Sequence, residues 1–286
     1  MADTILDIRA QAYGRNILQV AQQKYSKLLP FVYQKENVTG KTFFQDRIGE
    51  WSMTTKASPN ATTPENDPGL SRRMGYIITE HDNRLLDRSL NLQVLSDPKS
   101  EMTISAGGAL GRSMDNLIID QLEGTAYAGE TGSTSVSLSA GQQIANGGTG
   151  LTFEKVLQAK RILDENDVED DGRVIVVSPQ GLEDMLAEAE ATSRDYVEMR
   201  SLVSGKISTF LGFNWVVSTL LNKTSTIRNC IAFHKYALAY AMTEGPFVRV
   251  DERSDKSYSY QVYYELNHGA VRLEEERVVQ IGIVEA

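Results

Sequence analysis

Three features of the sequence predict an α+β fold. Apolar residues recur every three to five positions in residues 5–29 and 97–123, which is the period of an amphipathic helix. Strand-like runs rich in aromatic and β-branched side chains begin at residue 41, and residues 247–286 are again β-rich, with period-two alternation at their centre. At 286 residues, the chain is long enough for one large or two moderate domains with a buried core.

The first quarter of the chain predicts a helix followed by a hairpin. The helix runs from Ile5 to Leu29, and Pro30 marks its end. Lys41–Thr54 and Arg72–Glu80 follow as two strands. The segment between these strands contains three of the seven prolines and almost no large apolar side chain, so it cannot form a core of its own. We therefore expect a long hairpin with a mobile tip that extends away from the body.

A second long helix is predicted from an N-cap at Asp97 to about Glu123. Its apolar residues lie along one broad face over roughly 38 Å, at 1.5 Å per residue. Three glycines in its middle favour a bend, namely Gly107, Gly108 and Gly111. Residues 125–150 are rich in Gly, Ser and Thr, and we interpret them as a boundary or a long surface loop.

The remaining chain mixes helices and strands. Thr152 is predicted to cap a helix to about Asp164, and Pro179 to open another to about Ala191. Strands are predicted within residues 173–177, 205–219, 229–242, 257–266 and 269–286, the last range being broken by the charged bend at Glu274–Arg277.

Composition excludes several classes of protein. A net charge of −9 argues against a nucleic-acid binder, because counterion release requires clustered Lys and Arg. No run of apolar residues is long enough for a transmembrane helix, and the N-terminus resembles no secretory signal, so we expect synthesis inside the cell. The single cysteine, Cys230, excludes an intrachain disulfide.

Charge is distributed unevenly along the chain. Residues 1–75 contain 10 Lys and Arg against 7 Asp and Glu, and the remaining residues contain 19 against 31. This distribution allows two interpretations: attraction between copies of the chain, or ordinary uneven surface charge.

The sequence predicts no metal, cofactor or catalytic site. Asp167–Gly172 imitates the start of a calcium loop, but position twelve is a serine where a bidentate Glu is required, so we interpret it as a solvated turn. The glycine clusters match neither phosphate-binding motif. His81, His234 and His268 lie too far apart in sequence for paired ligation and are predicted to be structural or surface residues.

Ser178 follows the buried run "RVIVV", a place where α/β hydrolases carry their nucleophile. A nucleophile elbow requires glycine on both sides in the pattern G-x-S-x-G, whereas Val176 and Gln180 stand there. Ser178 followed by Pro179 instead fits an N-cap and the first helical position. We predict a helix cap, and a serine hydrolase using Ser178 remains an alternative function.

The order of elements resembles the major capsid protein of tailed bacteriophages, the Hong Kong 97 fold. The resemblance covers essentially the whole chain and is carried by patterns rather than by a strict signature. It is clearest in residues 151–186, 207–221 and 232–242 and in the β-rich C-terminus.

The resemblance implies five segments. These are an N-terminal arm (1–36), an extended E-loop (37–78), a peripheral domain with a spine helix (79–147), an axial domain (148–246) and C-terminal strands that return to the peripheral domain (247–286). It also implies a virion protein without enzymatic activity, made in the host cytoplasm. Its main partner would be itself, in hexamers and pentamers that close an icosahedral shell around double-stranded DNA. The DNA would be contacted weakly and without sequence specificity, and no membrane partner is implied. A separate scaffolding protein and a portal are expected as further partners.

Charged residues at both ends of the chain are the predicted contacts between subunits. They are Arg47, Glu50, Lys56, Arg72, Arg73, Glu274 and Arg277. For Glu274–Arg277 a solvated bend is the other interpretation. An encapsulin, which builds the same fold into a cellular compartment around cargo enzymes, remains the nearest alternative function.

Overall fold

Three helices and three sheets make up the described part of the chain. In this computed structural model the described residues are 22–36, 38–87, 99–187 and 209–285. The helices are α1 (Lys99–Glu123), α2 (Phe153–Glu165) and α3 (Pro179–Ala187). The strands are β1 (Tyr33–Lys35), β2 (Thr42–Ile48), β3 (Leu70–Tyr76), β4 (Ile78–Leu86), β5 (Ala126–Ala128), β6 (Thr134–Val136), β7 (Gln143–Ile144), β8 (Arg173–Val177), β9 (Thr209–Phe210), β10 (Phe213–Val217), β11 (Lys223–Thr224), β12 (Ile227–His234), β13 (Leu238–Met242), β14 (Phe247–Arg253), β15 (Ser259–Arg272) and β16 (Val278–Val284).

The largest sheet has seven strands and contains most of the core. Its order is β7-β16-β12-β8-β10-β9, with β11 paired to β12. Every residue of β8 is buried, as expected for a β-branched run at the centre of a sheet. The helix α2 begins at the Thr152 cap and packs against β16 through its apolar face. The predicted inward residues of α2 are all buried, namely Val156, Ala159, Ile162 and Leu163.

The second sheet is built around β15, which is 14 residues long. Strands β13 and β14 pair with β15, β1 pairs with β13, and β4 pairs with β15 as well. The helix α1 packs against β15. This helix has 25 residues and ends at Glu123, as predicted. The proposed cap at Asp97 lies outside the described residues.

The third sheet corrects the interpretation of residues 125–150 as a boundary or surface loop. Its order is β2-β3-β5-β6, so two strands from that segment extend the predicted hairpin. Each of these added strands has only three residues. Their pairing depends on β3, which is more than 50 positions away, and therefore leaves no local periodicity in the sequence.

The C-terminal strands divide between two sheets. β15 belongs to the five-stranded sheet and β16 to the seven-stranded sheet, and the charged bend joins them. The predicted return of residues 247–286 to the peripheral domain stays a prediction, and within it only the division of the strands between two sheets is observed.

The predicted helix Ile5–Leu29 is not observed in the part that the structure describes. Residues 22–28 are not helical, and Leu29–Phe31 form a short 3-10 turn that contains Pro30. This segment crosses α1 closely: a Cβ atom on Gly111 would lie 2.7 Å from the Ser26 nitrogen, and one on Gly108 would lie 2.9 Å from the Gln23 oxygen. These two glycines therefore allow a backbone crossing. A Cβ on Gly107 would meet nothing within 4 Å.

Candidate intersubunit surface

The hairpin presents apolar side chains to solvent. β2 and β3 pair from Thr42 opposite Tyr76 to Ile48 opposite Leu70, and the Gly49 N–H donates to the Gly69 oxygen at 2.9 Å beyond the last pair. No strand forms in residues 49–69. The large apolar side chains in and beside this tip are exposed, namely Ile48, Trp51, Met53 and Leu70. Exposed apolar clusters of this kind mark surfaces that contact other proteins.

A groove of about 660 Å³ lies beside the base of the hairpin. It is lined by Asp46, Ile48, Leu70, Ser71, Arg72, Ala128, Gly129 and Glu130. Apolar side chains therefore alternate with charges of both signs, a composition suited to a protein partner.

Arg72 and Asp46 form an ion pair on the wall of this groove. The Arg72 Nε lies 2.5 Å from Asp46 Oδ1, and the guanidinium stands 5.3 Å from the centre of the Phe44 ring. The hydrogen bond from Arg72 holds the pKa of Asp46 below its ordinary value. Glu50 and Lys56 lie on the exposed tip. Three of the predicted contact residues, Glu50, Lys56 and Arg72, are thus available to a neighbouring subunit.

Arg73 and Arg47 instead anchor the hairpin to its own subunit. Arg73 is buried, and its Nη2 lies 2.6 Å from Glu275 Oε2. Arg47 Nη1 and Arg73 Nε both donate to the Leu273 oxygen, at 2.6 and 3.1 Å. Arg47 also lies 3.5 Å from Glu274. These placements correct the prediction for Arg73, whose guanidinium is enclosed within the subunit.

Arg272 extends this anchor to the spine helix α1. Its fully buried guanidinium donates to the oxygens of Leu122, Gly124 and Val136 at 2.9, 2.5 and 2.9 Å. Its Nε lies 3.4 Å from Glu275, which therefore contacts both Arg272 and Arg73. A cation at a helix C-terminus satisfies carbonyl groups that have no partner within the helix.

Arg277 and Glu274 also find partners within the chain. Arg277 donates to Glu274 and to Glu169, and its Nη1 lies 2.9 Å from His234 Nδ1. The hydrogen bond from Arg277 lowers the pKa of Glu169. Burial lowers the pKa of His234, whose Nε2 lies 2.8 Å from the Asp171 oxygen. The charges of this bend therefore pair within the subunit, while Glu276 is exposed, and the predicted contact of Glu274 and Arg277 with a neighbouring subunit stays a prediction.

Ser178 makes the hydrogen bond of a helix cap. Its Oγ accepts from the Gly181 N–H at 3.0 Å, and the residue is 1% exposed. A substrate therefore has no access to this hydroxyl. Next to the Asp167–Gly172 turn, Arg173 of β8 forms ion pairs with Asp164 of α2 at 2.6 Å and with Asp170 of the turn at 3.2 Å. Within the described residues, no three His, Cys, Asp or Glu side chains form a group that could hold a metal ion.

Asp115 fixes the segment that crosses α1 and was not among the residues singled out from the sequence. It is fully buried, and its carboxylate accepts from Gln23 Nε2 at 2.5 Å and Ser26 Oγ at 2.6 Å. It also accepts from the backbone N–H groups of Lys27 and Leu28 at 3.0 and 3.1 Å. The only sequence signal was an acidic residue inside an otherwise apolar helix face.

Comparison with known protein families shows which kind of protein this chain is. A family model described as phage capsid protein matches residues 6–285. The chain belongs to the phage capsid protein family. It is a structural subunit of a phage head shell. No curated protein sequence matches this capsid protein significantly.

Solved structures show the same fold over nearly the whole capsid chain. A structure titled "Capsid of Ralstonia phage GP4" has a TM-score of 0.76 at 12% identity, covering 97% of this chain and 96% of that one. One titled "Mycobacterium phage Che8" has a TM-score of 0.74 at 18% identity, covering 95% and 96%. "Cyanophage Pam1 capsid asymmetric unit" has a TM-score of 0.71 at 12% identity and full coverage of both chains. The resemblance to the Hong Kong 97 fold is thereby confirmed.

Exposed apolar residues of the capsid hairpin were missed because the predicted contacts rested on charge alone. Trp51 and Met53 are 67% and 99% exposed, yet the predicted contacts were all charged residues. Their position beside a proline-rich stretch without a core was the available signal.

No helix of the described residues is long and apolar enough to span a membrane.

Proposed function

We propose that this capsid subunit assembles by laying its hairpin across a neighbouring subunit, in hexamers and pentamers that close an icosahedral shell around double-stranded DNA. The observation that carries the proposal is the exposed apolar tip of the hairpin, which has no core of its own. The base of the hairpin is held to its own subunit by buried charged side chains. A rigid base fixes where the tip points, and the exposed Trp51 and Met53 gain burial only in a neighbour. Glu50, Lys56 and Arg72 would supply charged contacts around this apolar centre.

The other expected properties belong to the same proposal. The subunit acts without enzymatic activity, and is made in the host cytoplasm with a separate scaffolding protein and a portal as partners. Its five-segment division, from N-terminal arm to C-terminal strands, remains a prediction. A net charge of −9 supports weak, non-specific contact with packaged DNA, because like charges repel across the inner wall.

The hairpin surface is tested by removing its apolar side chains. The variant Trp51→Ser/Met53→Ser/Leu70→Ser is expected to keep the thermal unfolding transition of the wild type but to lose shells in sedimentation velocity. A control variant, Leu157→Ser/Tyr236→Ser, removes exposed apolar side chains elsewhere and should assemble normally. Normal assembly of the hairpin variant would contradict the proposal.

The enclosed cargo is tested on native particles. Nuclease-protected double-stranded DNA is expected inside purified shells. Shells that instead enclose protein cargo and no DNA would overturn this part of the proposal and favour the encapsulin alternative.

A further inference from the structure

The strand β14 has a free edge in the part of the chain that the structure describes. It pairs with β15 on one side, from Phe247 opposite Glu265 to Arg253 opposite Ser259, and ends the strand order of its sheet on the other. Its residues are exposed on both faces through Glu252. An exposed strand edge with apolar side chains is a template for pairing with another strand.

The sequence of this edge is complementary to itself. When two copies of Phe247–Arg253 pair antiparallel about Val250, Arg249 of each copy stands opposite Asp251 of the other. Val250 then faces Val250, and Phe247 faces Arg253, a pairing in which the guanidinium can lie against the ring. Within one chain, Arg249 and Asp251 already form an ion pair at 2.6 Å, so both side chains lie on the same face.

Neighbouring registers are unfavourable. Moving the centre to Arg249 places two guanidinium groups opposite each other, and moving it to Asp251 places two carboxylates opposite each other. Like charges directly opposite each other destabilise a pair of strands. The charge pattern therefore favours the register centred on Val250 over the two neighbouring registers centred on Arg249 and Asp251.

β14, β15 and β4 lie side by side, and β4 is the edge opposite β14. The sequence of β4 is not complementary to itself. β4 runs from Ile78 to Leu86, and its central residue is Asp82. Self-pairing about that centre would place two Asp82 carboxylates opposite each other. Asp82 also accepts a hydrogen bond from Tyr264 at 2.9 Å within the subunit.

We infer that β14 pairs antiparallel with β14 of a second copy of this chain, across a two-fold contact centred on Val250. The inference rests on the proposed function, since it adds a named contact between subunits of the shell. It is distinct from the hairpin, which belongs to a different sheet.

Charge reversal tests the pairing through mixed assembly. Arg249→Asp gives one copy two acidic side chains on the edge, and Asp251→Arg gives another copy two basic ones. Each variant alone is expected to form at least tenfold fewer shells than the wild type, with an unchanged thermal unfolding transition. A mixture of the two should recover assembly, because unlike copies then complement each other. The intrastrand pair is absent from both variants, so recovery reports on the contact between copies.

A cysteine at the centre gives a second readout. Opposite residues in an antiparallel pair have Cα atoms about 4.5–5.5 Å apart, which is within disulfide range. Oxidised shells of Val250→Cys should therefore show a disulfide-linked dimer, whereas Tyr258→Cys in the exposed turn should not. The native Cys230 does not interfere, because it is buried and burial raises the pKa of its thiol to about 12.

The outcomes separate this inference from the proposed function. Wild-type shells without any Val250→Cys dimer, or reversed variants whose mixture assembles no better than each alone, would overturn the β14 pairing and leave the shell function intact. A dimer formed between Val250→Cys and Asn83→Cys copies instead would indicate that β4 is the partner and would also overturn it. Absence of wild-type shells under every condition would count against the shell function itself.

Discussion

Arg73 and Glu275 lie 202 positions apart in the chain, yet their side chains form an ion pair at 2.6 Å with only 8% and 11% of their surface exposed. The pair joins β3 of the hairpin to the bend between β15 and β16. Because Glu275 also contacts Arg272, one carboxylate holds together the hairpin base and the end of the spine helix.

Removing Glu275 should destabilise the subunit strongly. Glu275→Ala leaves two buried guanidinium groups without their carboxylate, and breaking a buried pair in this way costs about 3–5 kcal/mol. Urea denaturation should show this loss in the free energy of unfolding. Glu276→Ala, which changes the exposed neighbour, should have almost no effect. An equal effect of the two substitutions would contradict the anchor.

Ser178→Ala should weaken the subunit modestly and leave assembly intact. Loss of the N-cap hydrogen bond to Gly181 is expected to lower the free energy of unfolding by about 1 kcal/mol. Ser58→Ala, at an exposed serine in the hairpin, is the control. If wild-type protein reacted with a serine-hydrolase probe and the variant lost that reaction at unchanged stability, Ser178 would be a nucleophile after all.

Two glycines of α1 should respond in opposite directions to alanine. Gly107→Ala is expected to raise the free energy of unfolding by about 0.5–1 kcal/mol, because a helical glycine has more backbone entropy to lose and its added Cβ meets open space. Gly111→Ala should lower it, because its Cβ would meet the backbone of Tyr25 and Ser26. Thermal melts of both variants measure the signs, and stabilisation by Gly111→Ala would argue against the observed crossing.

Asp115→Ala should release the segment that crosses α1. Four donors then lose a buried acceptor, and we expect a loss of at least about 2 kcal/mol in the free energy of unfolding. Hydrogen exchange at the Lys27 and Leu28 amides should accelerate more than exchange elsewhere. Asp120→Ala, in an exposed position of the same helix, is the matched control. Unchanged protection of those two amides would show that Asp115 does not hold the segment.

Because of His268, the free energy of unfolding of the subunit is expected to be lower in mild acid than at neutral pH. It is fully buried, its Nδ1 lies 2.8 Å from the Tyr240 hydroxyl of β13, and its Nε2 lies 3.8 Å from Glu80 of β4. Burial lowers its pKa in the folded protein, although the charge of Glu80 acts in the opposite direction. The unfolded chain therefore binds the proton at higher pH, and stability should fall as pH drops below about 6.5.

A comparison with His268→Gln isolates this contribution. The free energy of unfolding should decline less between pH 8 and pH 5 in the variant than in the wild type, whatever the difference between them at pH 8. Parallel declines would assign the acid sensitivity to other groups.

Local signals in the sequence predicted α1, α2, α3 and the hairpin, but the predicted N-terminal helix is not observed over residues 22–28. The spine helix combined a long apolar face with a Gly after Glu123, and the hairpin combined two aromatic strands with a proline-rich gap. Partners that lie far apart in sequence were not predictable. The three-residue strands β5 and β6 depend on β3, and Arg73 and Arg277 pair with Glu275 and Glu169, which lie more than 100 positions away. Periodicity carries no information on either kind of contact.

The bend that separates β15 from β16 also has a mechanical consequence. Its residues bind the hairpin through Arg47 and Arg73, and its two flanking strands enter different sheets. Force applied to the hairpin in a closed shell is therefore transmitted to both sheets together. This force acts along the strands and not across a single ladder of hydrogen bonds. Under load the shell should part between subunits before the hairpin tears from its own subunit.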